Sequence, residues 1–257
     1  MENKHRIADL LTELRPERFS EIVGQEVIKR QLTSMVAKDT VPNGIMFTGT
    51  WGAGKTTLAG VLAQALACEG WKPGRHEPCG ACDCCRIPAY STYFVSSSMG
   101  LPDERLRDRL CTVKYAQNMW GGRKAVLMVD DLDNLPPRQQ RMIRSSLDER
   151  WPKGALIVTV MDASKIDPPL RQRLIEMPVM PPLLPELAAW LNESVLKRLG
   201  ITVREEKAVE ELIRAGQFNF RSILKILSPI YEGHAPLTVE AVRDAARQNG
   251  YGCEGEL

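Results

Sequence analysis

Residues 49–57 read Gly49-Thr50-Trp51-Gly52-Ala53-Gly54-Lys55-Thr56-Thr57, and they carry the strongest structural signal in the sequence. It fits the pattern G-x-x-x-x-G-K-[ST], in which glycines let successive backbone N–H groups turn towards a phosphate. The apolar run Ile45-Met46-Phe47 precedes it, and a helical pattern over residues 58–67 follows it. Because the motif requires a strand before it and a helix after it, these flanks predict a phosphate-binding loop at a helix N-terminus.

The loop residues have distinct predicted roles. The Lys55 ammonium reaches the β- and γ-phosphates, and the Thr56 hydroxyl is a ligand of Mg²⁺. The sequence therefore predicts a bound nucleoside triphosphate with Mg²⁺. The predicted nucleotide contacts in the loop are Gly49, Thr50, Trp51, Gly52, Ala53, Gly54, Lys55, Thr56 and Thr57.

A second apolar run, residues 125–129, ends in Asp130 and Asp131. A continuous apolar run is typical of a buried parallel strand, and open α/β sheets bind ligands at the carboxyl ends of their strands. Asp130 is predicted to hold Mg²⁺ or its waters, and Asp131 to polarise the attacking water as a general base. Two acids that merely end a strand are the alternative.

Composition narrows the class of protein. The chain has 257 residues with 44% hydrophobic and 26% charged residues, as in ordinary globular proteins. It has no apolar run near the ~18 residues that would span a bilayer and no apolar signal core at its start, so we expect a cytoplasmic protein. The net charge of +2 is too small to indicate nucleic-acid binding, so DNA contacts would require local clusters.

Four of the seven cysteines lie within residues 79–85, which favours a metal over disulfides in a cytoplasmic chain. The spacing C-x₂-C-x₂-C places three thiols close together, and an earlier cysteine can supply a fourth. The predicted ligands of a closed, structural Zn²⁺ site are Cys68, Cys79, Cys82 and Cys85. Cys84 and His76 are further candidate ligands, free thiols are the alternative, and the sequence does not separate zinc from iron.

Leu14-Arg15-Pro16, Phe19 and Val23-Gly24-Gln25 precede the phosphate-binding loop by about 25 to 35 residues. With the loop, the acids and the cysteines, this pattern resembles the clamp-loader ATPases of the AAA+ superfamily, most closely their bacterial gamma/tau subunits. The resemblance covers residues 10–248 and does not extend to the family's third, helical collar domain. It implies ATP as the nucleotide and a zinc module in the same place.

The resemblance also implies roles for residues with little local signal. Val23 would help to hold the adenine base, and Arg221 would touch the γ-phosphate from a helical lid. Arg173 would enter the ATP site of a neighbouring subunit, with Arg171 as the alternative. The helix after Pro136-Pro137 would face DNA phosphates through Arg138, Arg141 and Arg144, although an ordinary solvent-facing helix is the competing interpretation.

Two positions depart from the family pattern. Asp131 replaces the usual Glu and is one methylene shorter. The polar sensor expected at the end of strand 155–160 aligns with Val160 and Met161, and Thr159 is expected to point to the other face. Both departures predict slow hydrolysis.

The predicted fold is α/β: a P-loop AAA+ parallel five-stranded sheet with an inserted zinc module, followed by a small helical lid domain. The expected boundaries are 1–180 for the nucleotide-binding domain, with the zinc module at about 68–86, then 181–248 for the lid and 249–257 for a tail.

The expected function is ATP-dependent loading of a sliding clamp on primer-template DNA, together with other loader subunits. Two alternatives stay open: a helicase loader or transposition regulator of AAA+ type, and a stator-like subunit that binds nucleotide but hydrolyses little.

Overall fold

The computed structural model describes residues 12–87, 92–96, 100–115 and 123–251. The first eleven residues of the predicted nucleotide-binding domain and most of the predicted tail lie outside the described residues. The described chain forms two compact units, and each is described by itself. Among the described residues, one unit lies within Pro16–Thr50 and Lys55–Val179, and the other comprises residues 12–15, Trp51–Gly54 and residues 180–251.

Five parallel strands form the sheet of the first unit, in the order β2-β3-β4-β1-β5. The strands are β1 Gly44–Thr48, β2 Thr92–Ser96, β3 Ala125–Asp130, β4 Gly154–Val160 and β5 Ile175–Pro178. Every residue of β1 and β4 is buried, because both strands are covered on both faces, whereas β2 and β5 form the partly exposed edges. The prediction of a five-stranded parallel sheet is confirmed.

Helices connect the strands, as parallel pairing requires. Those of the first unit are α1 Glu26–Lys38, α2 Lys55–Ala67, α3 Asp83–Arg86, α4 Asp103–Lys114, α5 Pro137–Leu147 and α6 Pro168–Arg171. Short 3₁₀ turns lie at Phe19–Glu21, Leu132–Asn134 and Ala163–Lys165.

The core of the first unit lies on both faces of the sheet. Its α4–α5 side is filled by alternate residues of β3 and β4, such as Leu127, Val129, Val158 and Val160. Helix α2 is apolar almost all round, and its buried side chains include Leu58, Ala59, Val61, Leu62, Ala63, Ala65 and Leu66. This burial fixes α2 directly behind the phosphate-binding loop.

The second unit is helical. Its helices are α7 Leu184–Trp190, a π-helical stretch Leu191–Leu196, α8 Lys197–Leu199, α9 Glu206–Ala215, α10 Phe220–Glu232 and α11 Val239–Gln248. Their apolar faces share one core that includes Leu191, Leu212, Ile223 and Leu227. Helix α10 contains Pro229 in its last turn and ends shortly after it.

Candidate functional site

The phosphate-binding loop has the backbone that its glycines predict. Gly49, Gly52 and Gly54 have φ angles of 151°, 76° and 98°, in the region that side chains disfavour. A Cβ at Gly49 would lie 2.3 Å from the Val179 carbonyl oxygen, so a side chain has no room there. Ala53, in the loop, is buried. Thr57, in the first turn of α2, is half-buried.

Lys55 opens α2 and is buried, with 6% of its surface exposed. Its ammonium donates to the carbonyl oxygens of Gly49 and Thr50, both at 2.9 Å. Burial lowers the pKa of Lys55, although the carboxylates of Asp131 and Asp130 oppose that shift. A cation held inside its own loop, with acids nearby, is placed to exchange carbonyl partners for phosphate oxygens.

Asp130 ends β3 and lies at the centre of the site. The Thr56 hydroxyl donates to its Oδ1 at 2.9 Å, and the Thr159 hydroxyl donates to the same oxygen at 2.5 Å. A hydroxyl from the loop and a carboxylate from a neighbouring strand end are the oxygen ligands that Mg²⁺ binds. These residues fit the predicted Mg²⁺ site.

The expectation for Thr159 was wrong. Thr159 is fully buried, and because side chains alternate along β4 it faces Asp130, while Val160 points into the α4–α5 core. The Thr159 hydroxyl also accepts a hydrogen bond from the Asp131 amide at 3.0 Å. The polar group at the end of β4 is therefore Thr159. The site does not lack a polar side chain there, although Val160 and Met161 are apolar.

Two further acids follow Asp130. Asp131 has a left-handed backbone with φ 54°, held by the Thr159 hydroxyl. Asp133 is buried, and its two oxygens accept from the amides of Met161 and Asp162 at 3.3 and 3.2 Å. Asp133 therefore connects the end of β4 to the turn after β3 by hydrogen bonds. No local sequence pattern predicted this role.

Within the second unit, Asn219 contacts Trp51 of the loop. Its side-chain amide donates to the Trp51 carbonyl oxygen at 2.8 Å, while its oxygen caps α10 by accepting from the amides of Arg221 and Ser222. The Arg221 guanidinium lies over the Trp51 ring, 4.9 Å from its centre. Sequence analysis named Arg221 but missed Asn219, although an Asn directly before a helical pattern is a capping signal.

Val23 is half-buried and lies between the 3₁₀ turn Phe19–Glu21 and α1. The next two residues, Gly24 and Gln25, both have left-handed backbones, with φ 64° and 59°. The segment before α1 is thus a sharply turned loop, and its position relative to a base remains a prediction.

Arg173 and Arg171 are the two candidates for entering the ATP site of a neighbouring subunit. Both are held by acids of their own chain. The Arg173 guanidinium donates to Asp148 at 2.5 Å and to the Pro169 carbonyl oxygen at 2.6 Å. Arg171 donates twice to one oxygen of Glu176, at 2.9 and 2.7 Å. Either arginine would have to exchange these partners before it could enter a neighbouring subunit.

The three arginines of α5 differ in their partners. Arg138 pairs with Asp103 at 2.9 Å but is 73% exposed, and Arg144 pairs with Asp167 at 3.2 Å with 29% exposed. Arg141 is exposed, and its guanidinium has no hydrogen bond or ion pair within the described ranges. Of the three, Arg141 is the most available to an external phosphate.

The four predicted metal ligands come together. The sulfur atoms of Cys68, Cys79, Cys82 and Cys85 all lie within 4.8 Å of one another. Zn–S bonds of about 2.3 Å in a tetrahedron place sulfurs about 3.8 Å apart, and the Cys79 and Cys85 sulfurs are 3.8 Å apart. The cluster therefore fits a tetrahedral metal.

Neither further candidate ligand belongs to this cluster. The Cys84 sulfur is buried and lies 3.5 Å from a carboxylate oxygen of Glu69, and His76 is exposed.

Two backbone amides support the Cys79 thiolate: those of Ala81 and Cys82 donate to the Cys79 sulfur at 3.4 and 3.2 Å. Burial alone would raise the pKa of Cys79, but hydrogen bonds from these amides and from the Cys82 and Cys68 thiols outweigh it and lower the pKa to about 6, whereas burial raises the pKa of Cys68 and of Cys85.

Trp71 anchors the metal loop, which is the segment of residues 68–86 that carries the four cysteines, on the first unit. Its indole N–H donates to the Val36 carbonyl oxygen at 3.0 Å, and the Arg123 guanidinium stacks 3.9 Å from its ring centre. Arg123 also donates to Asp39 at 2.8 Å. These contacts join the loop to the end of α1 and the start of β3.

Comparisons with known proteins agree with this geometry. A family model described as "DNA polymerase III, delta subunit" matches residues 24–94, from the turn before α1 through the phosphate-binding loop and the cysteines. The DNA polymerase III subunit tau of Escherichia coli (strain K12) is 26% identical over 233 residues, which cover 89% of this chain and 35% of that protein. The replication factor C small subunit of Methanosphaera stadtmanae is 27% identical over 237 residues, covering 90% of this chain and 65% of that protein.

The resemblance to clamp-loader ATPases is confirmed. The fold is confirmed separately by the Thermotoga maritima RuvB Holliday junction branch migration motor, with a TM-score of 0.69 at 17% identity over 95% of this chain and 75% of that chain. This clamp-loader-like chain spans only 35% of the length of the Escherichia coli relative. Among the helices within the described residues, none is both long and apolar enough to cross a membrane.

Proposed function

We propose that the protein is an ATP-dependent, clamp-loader-type subunit that couples ATP binding and hydrolysis to the loading of a sliding clamp on primer-template DNA. The observation that carries the proposal is the meeting of Thr56 and Asp130, 2.9 Å apart, beside the buried Lys55. This arrangement places residues that could hold Mg²⁺ beside a phosphate-binding cation. The curated relatives support the replication role.

Hydrolysis in this proposal is a phosphoryl transfer to water. Thr56 and Asp130 would hold Mg²⁺, which when bound would supply charge neutralisation at the phosphates. Asp131 orients the attacking water, and Thr159 supports it by fixing the Asp131 backbone. Because the contact between Thr159 and Asp131 holds the proposed water-orienting residue in place, it argues against a stator-like subunit that binds nucleotide but hydrolyses little.

Other nucleotide contacts are proposed from the resemblance. Val23 helps to hold the adenine base, and Arg221 contacts the γ-phosphate from the helical unit. Arg173 leaves Asp148 and stabilises transition-state charge in the ATP site of a neighbouring copy or subunit. Assembly would thus be required for full turnover.

The DNA contacts and the domains are likewise proposals. Arg138, Arg141 and Arg144 would contact DNA phosphates without reading sequence. Residues 1–180 would form the nucleotide-binding domain and residues 181–248 the lid, with the remaining residues as a tail. The partners would be the clamp and other loader subunits in the cytoplasm.

Zinc is the proposed metal of the four-thiol cluster, as a structural ion. Cys68, Cys79, Cys82 and Cys85 would together supply four thiolate ligands, which would leave a four-coordinate ion no open position for a water or a substrate. What it supplies when bound is a cross-link between the end of α2 and the loop over residues 79–85.

The test compares wild-type protein with Lys55→Ala in two assays. Calorimetry with MgATP should show binding that the variant loses, and phosphate release should rise with primer-template DNA only in the wild type. Wild-type protein that binds no MgATP at millimolar concentration would refute the proposal. A helical filament on DNA, rather than a closed ring that retains a clamp, would favour a helicase loader or transposition regulator.

A further inference from the structure

The Glu77 carboxylate caps a turn that lies 57 residues or more away in the chain. Its Oε2 accepts from the Phe19 amide at 2.8 Å, and its Oε1 accepts from the Ser20 amide at 3.0 Å. These are the first amides of the 3₁₀ turn Phe19–Glu21, whose preceding residue, Arg18, offers no side-chain cap. Glu77 thus supplies, from a distance, the acceptor that turns and helices usually find locally.

The capped turn leads directly into the segment proposed to hold the base. Phe19 is buried, so the turn is pinned on the core side as well. Four residues later comes Val23, and the Ile22 carbonyl oxygen accepts from the Lys29 ammonium at 2.9 Å. The segment before α1 is therefore held at its start by Glu77 and at its end by α1.

Glu77 is in turn held by the metal loop. It lies two residues before Cys79, whose amide donates to the Cys68 sulfur at 3.3 Å. Residues 72–76 are exposed, so this part of the loop buries little apolar surface. A metal at the four thiols fixes Cys79 against the end of α2 and thereby fixes the position of Glu77.

We propose that Glu77 is a positioning residue for the nucleotide base: the metal loop holds Glu77, and Glu77 holds residues 19–23 where the base binds. This inference rests on the proposed function for the base-binding role of Val23. It predicts that metal and ATP bind cooperatively, with each raising the affinity for the other by the same factor. It also predicts that the cooperativity acts through the base and not through the phosphates.

The test uses the full chain loaded with Zn²⁺, as wild type and as Glu77→Gln. The amide keeps the size of the side chain but loses its charge, and it presents an N–H group where one oxygen accepted. We expect the variant to bind MgATP about fivefold or more weakly, the lower end of typical coupling between sites. Binding of magnesium tripolyphosphate, which has no base, should change by less than about twofold on the same scale.

Glu104→Gln is the matched control, because Glu104 is an exposed acid in the first turn of α4. It should leave both affinities unchanged. Hydrogen exchange at the Phe19 and Ser20 amides gives a readout that needs no nucleotide. Both amides should lose protection in Glu77→Gln and in wild-type protein after Zn²⁺ is removed with a chelator.

The outcomes separate this inference from the proposed function. Wild-type protein that binds tripolyphosphate and ATP, but whose Phe19 and Ser20 amides stay protected without Zn²⁺, overturns the inference and leaves the proposed function standing. An equal loss of ATP and tripolyphosphate binding in Glu77→Gln also overturns it, because the effect would then reach the phosphates. Wild-type protein that binds neither ligand overturns the proposed function instead, and the exchange result still decides whether Glu77 couples the metal to the turn.

Discussion

Replacing Thr159 by valine tests the reassigned polar group at the end of β4. Valine keeps the shape of threonine and removes only the hydroxyl, which donates to Asp130 at 2.5 Å and accepts from the Asp131 amide at 3.0 Å. Thr159 is fully buried, so no solvent replaces the lost contacts at that side chain. The change therefore acts on the two acids of the site at once.

The size of the effect follows from these two bonds. A hydrogen bond to a charged group contributes about 1.5–3 kcal/mol, and an unsatisfied buried donor costs about 1–3 kcal/mol. Because Asp131 is only half-buried and Asp130 keeps Thr56, we expect a loss of about 1–3 kcal/mol in the free energy of unfolding, or about 2–12 °C in Tm. If the charged bond acts fully in the transition state, ATP turnover falls about 10- to 100-fold.

The assay is steady-state phosphate release at saturating MgATP, with Tm from calorimetry. Thr159→Ser is the matched control: it keeps the hydroxyl and loses one methyl group, so it should lose stability but retain most of the turnover. The role of the hydroxyl would be refuted if Thr159→Val hydrolysed ATP at the wild-type rate. It would also be refuted if Thr159→Ser lost as much ATP turnover as Thr159→Val. Either result would restore the interpretation that the end of β4 lacks a functional polar group.

Four further predictions concern single contacts. Cys82→Ser should weaken Co²⁺ binding, read from thiolate-to-metal absorption, by more than about tenfold, since even the loss of supporting contacts costs about 10–100-fold; Cys84→Ser, outside the cluster, should not. Gly49→Ala should lower the free energy of unfolding in urea by about 1–3 kcal/mol, because the new Cβ would strain the backbone and crowd the Val179 carbonyl oxygen; an unchanged midpoint would contradict this geometry. Asn219→Ala should cost about 0.5–2 kcal/mol as a lost helix cap, measured by the same method. Arg141→Gln should reduce the salt dependence of DNA binding by about one unit of slope, and an unchanged slope would exclude a phosphate contact.

Local patterns predicted the parts of the site that depend on local chain geometry. The loop before Lys55, the acid at the end of β3 and the cysteine spacing are each recognised from a short stretch of sequence and its immediate flanks. Their meeting followed from parallel strands sharing one carboxyl edge. The contact between Thr56 and Asp130 could thus be expected from sequence.

The parts that sequence did not predict depend on contacts between distant segments. The direction of Thr159 was misread because the family pattern was placed one residue too late, and a shift of one residue along a strand reverses the face. Asp133 accepts from amides 28 and 29 residues away, and Glu77 from amides 57 and 58 residues away. An isolated acid in a loop carries no local signal for such a partner. The sheet order that places β4 between β3 and β1 was likewise invisible to periodicity.

That sheet order has a consequence for how the chain is made. Strand β1 pairs only with β4 and β5, which leave the ribosome more than a hundred residues later. Until then β1 lacks both of its neighbouring strands, and an unpaired apolar strand in a nascent chain is prone to aggregation. Productive folding of the sheet domain must therefore wait for residue 160, and chaperones that shield the emerging N-terminal half should raise the yield of native protein.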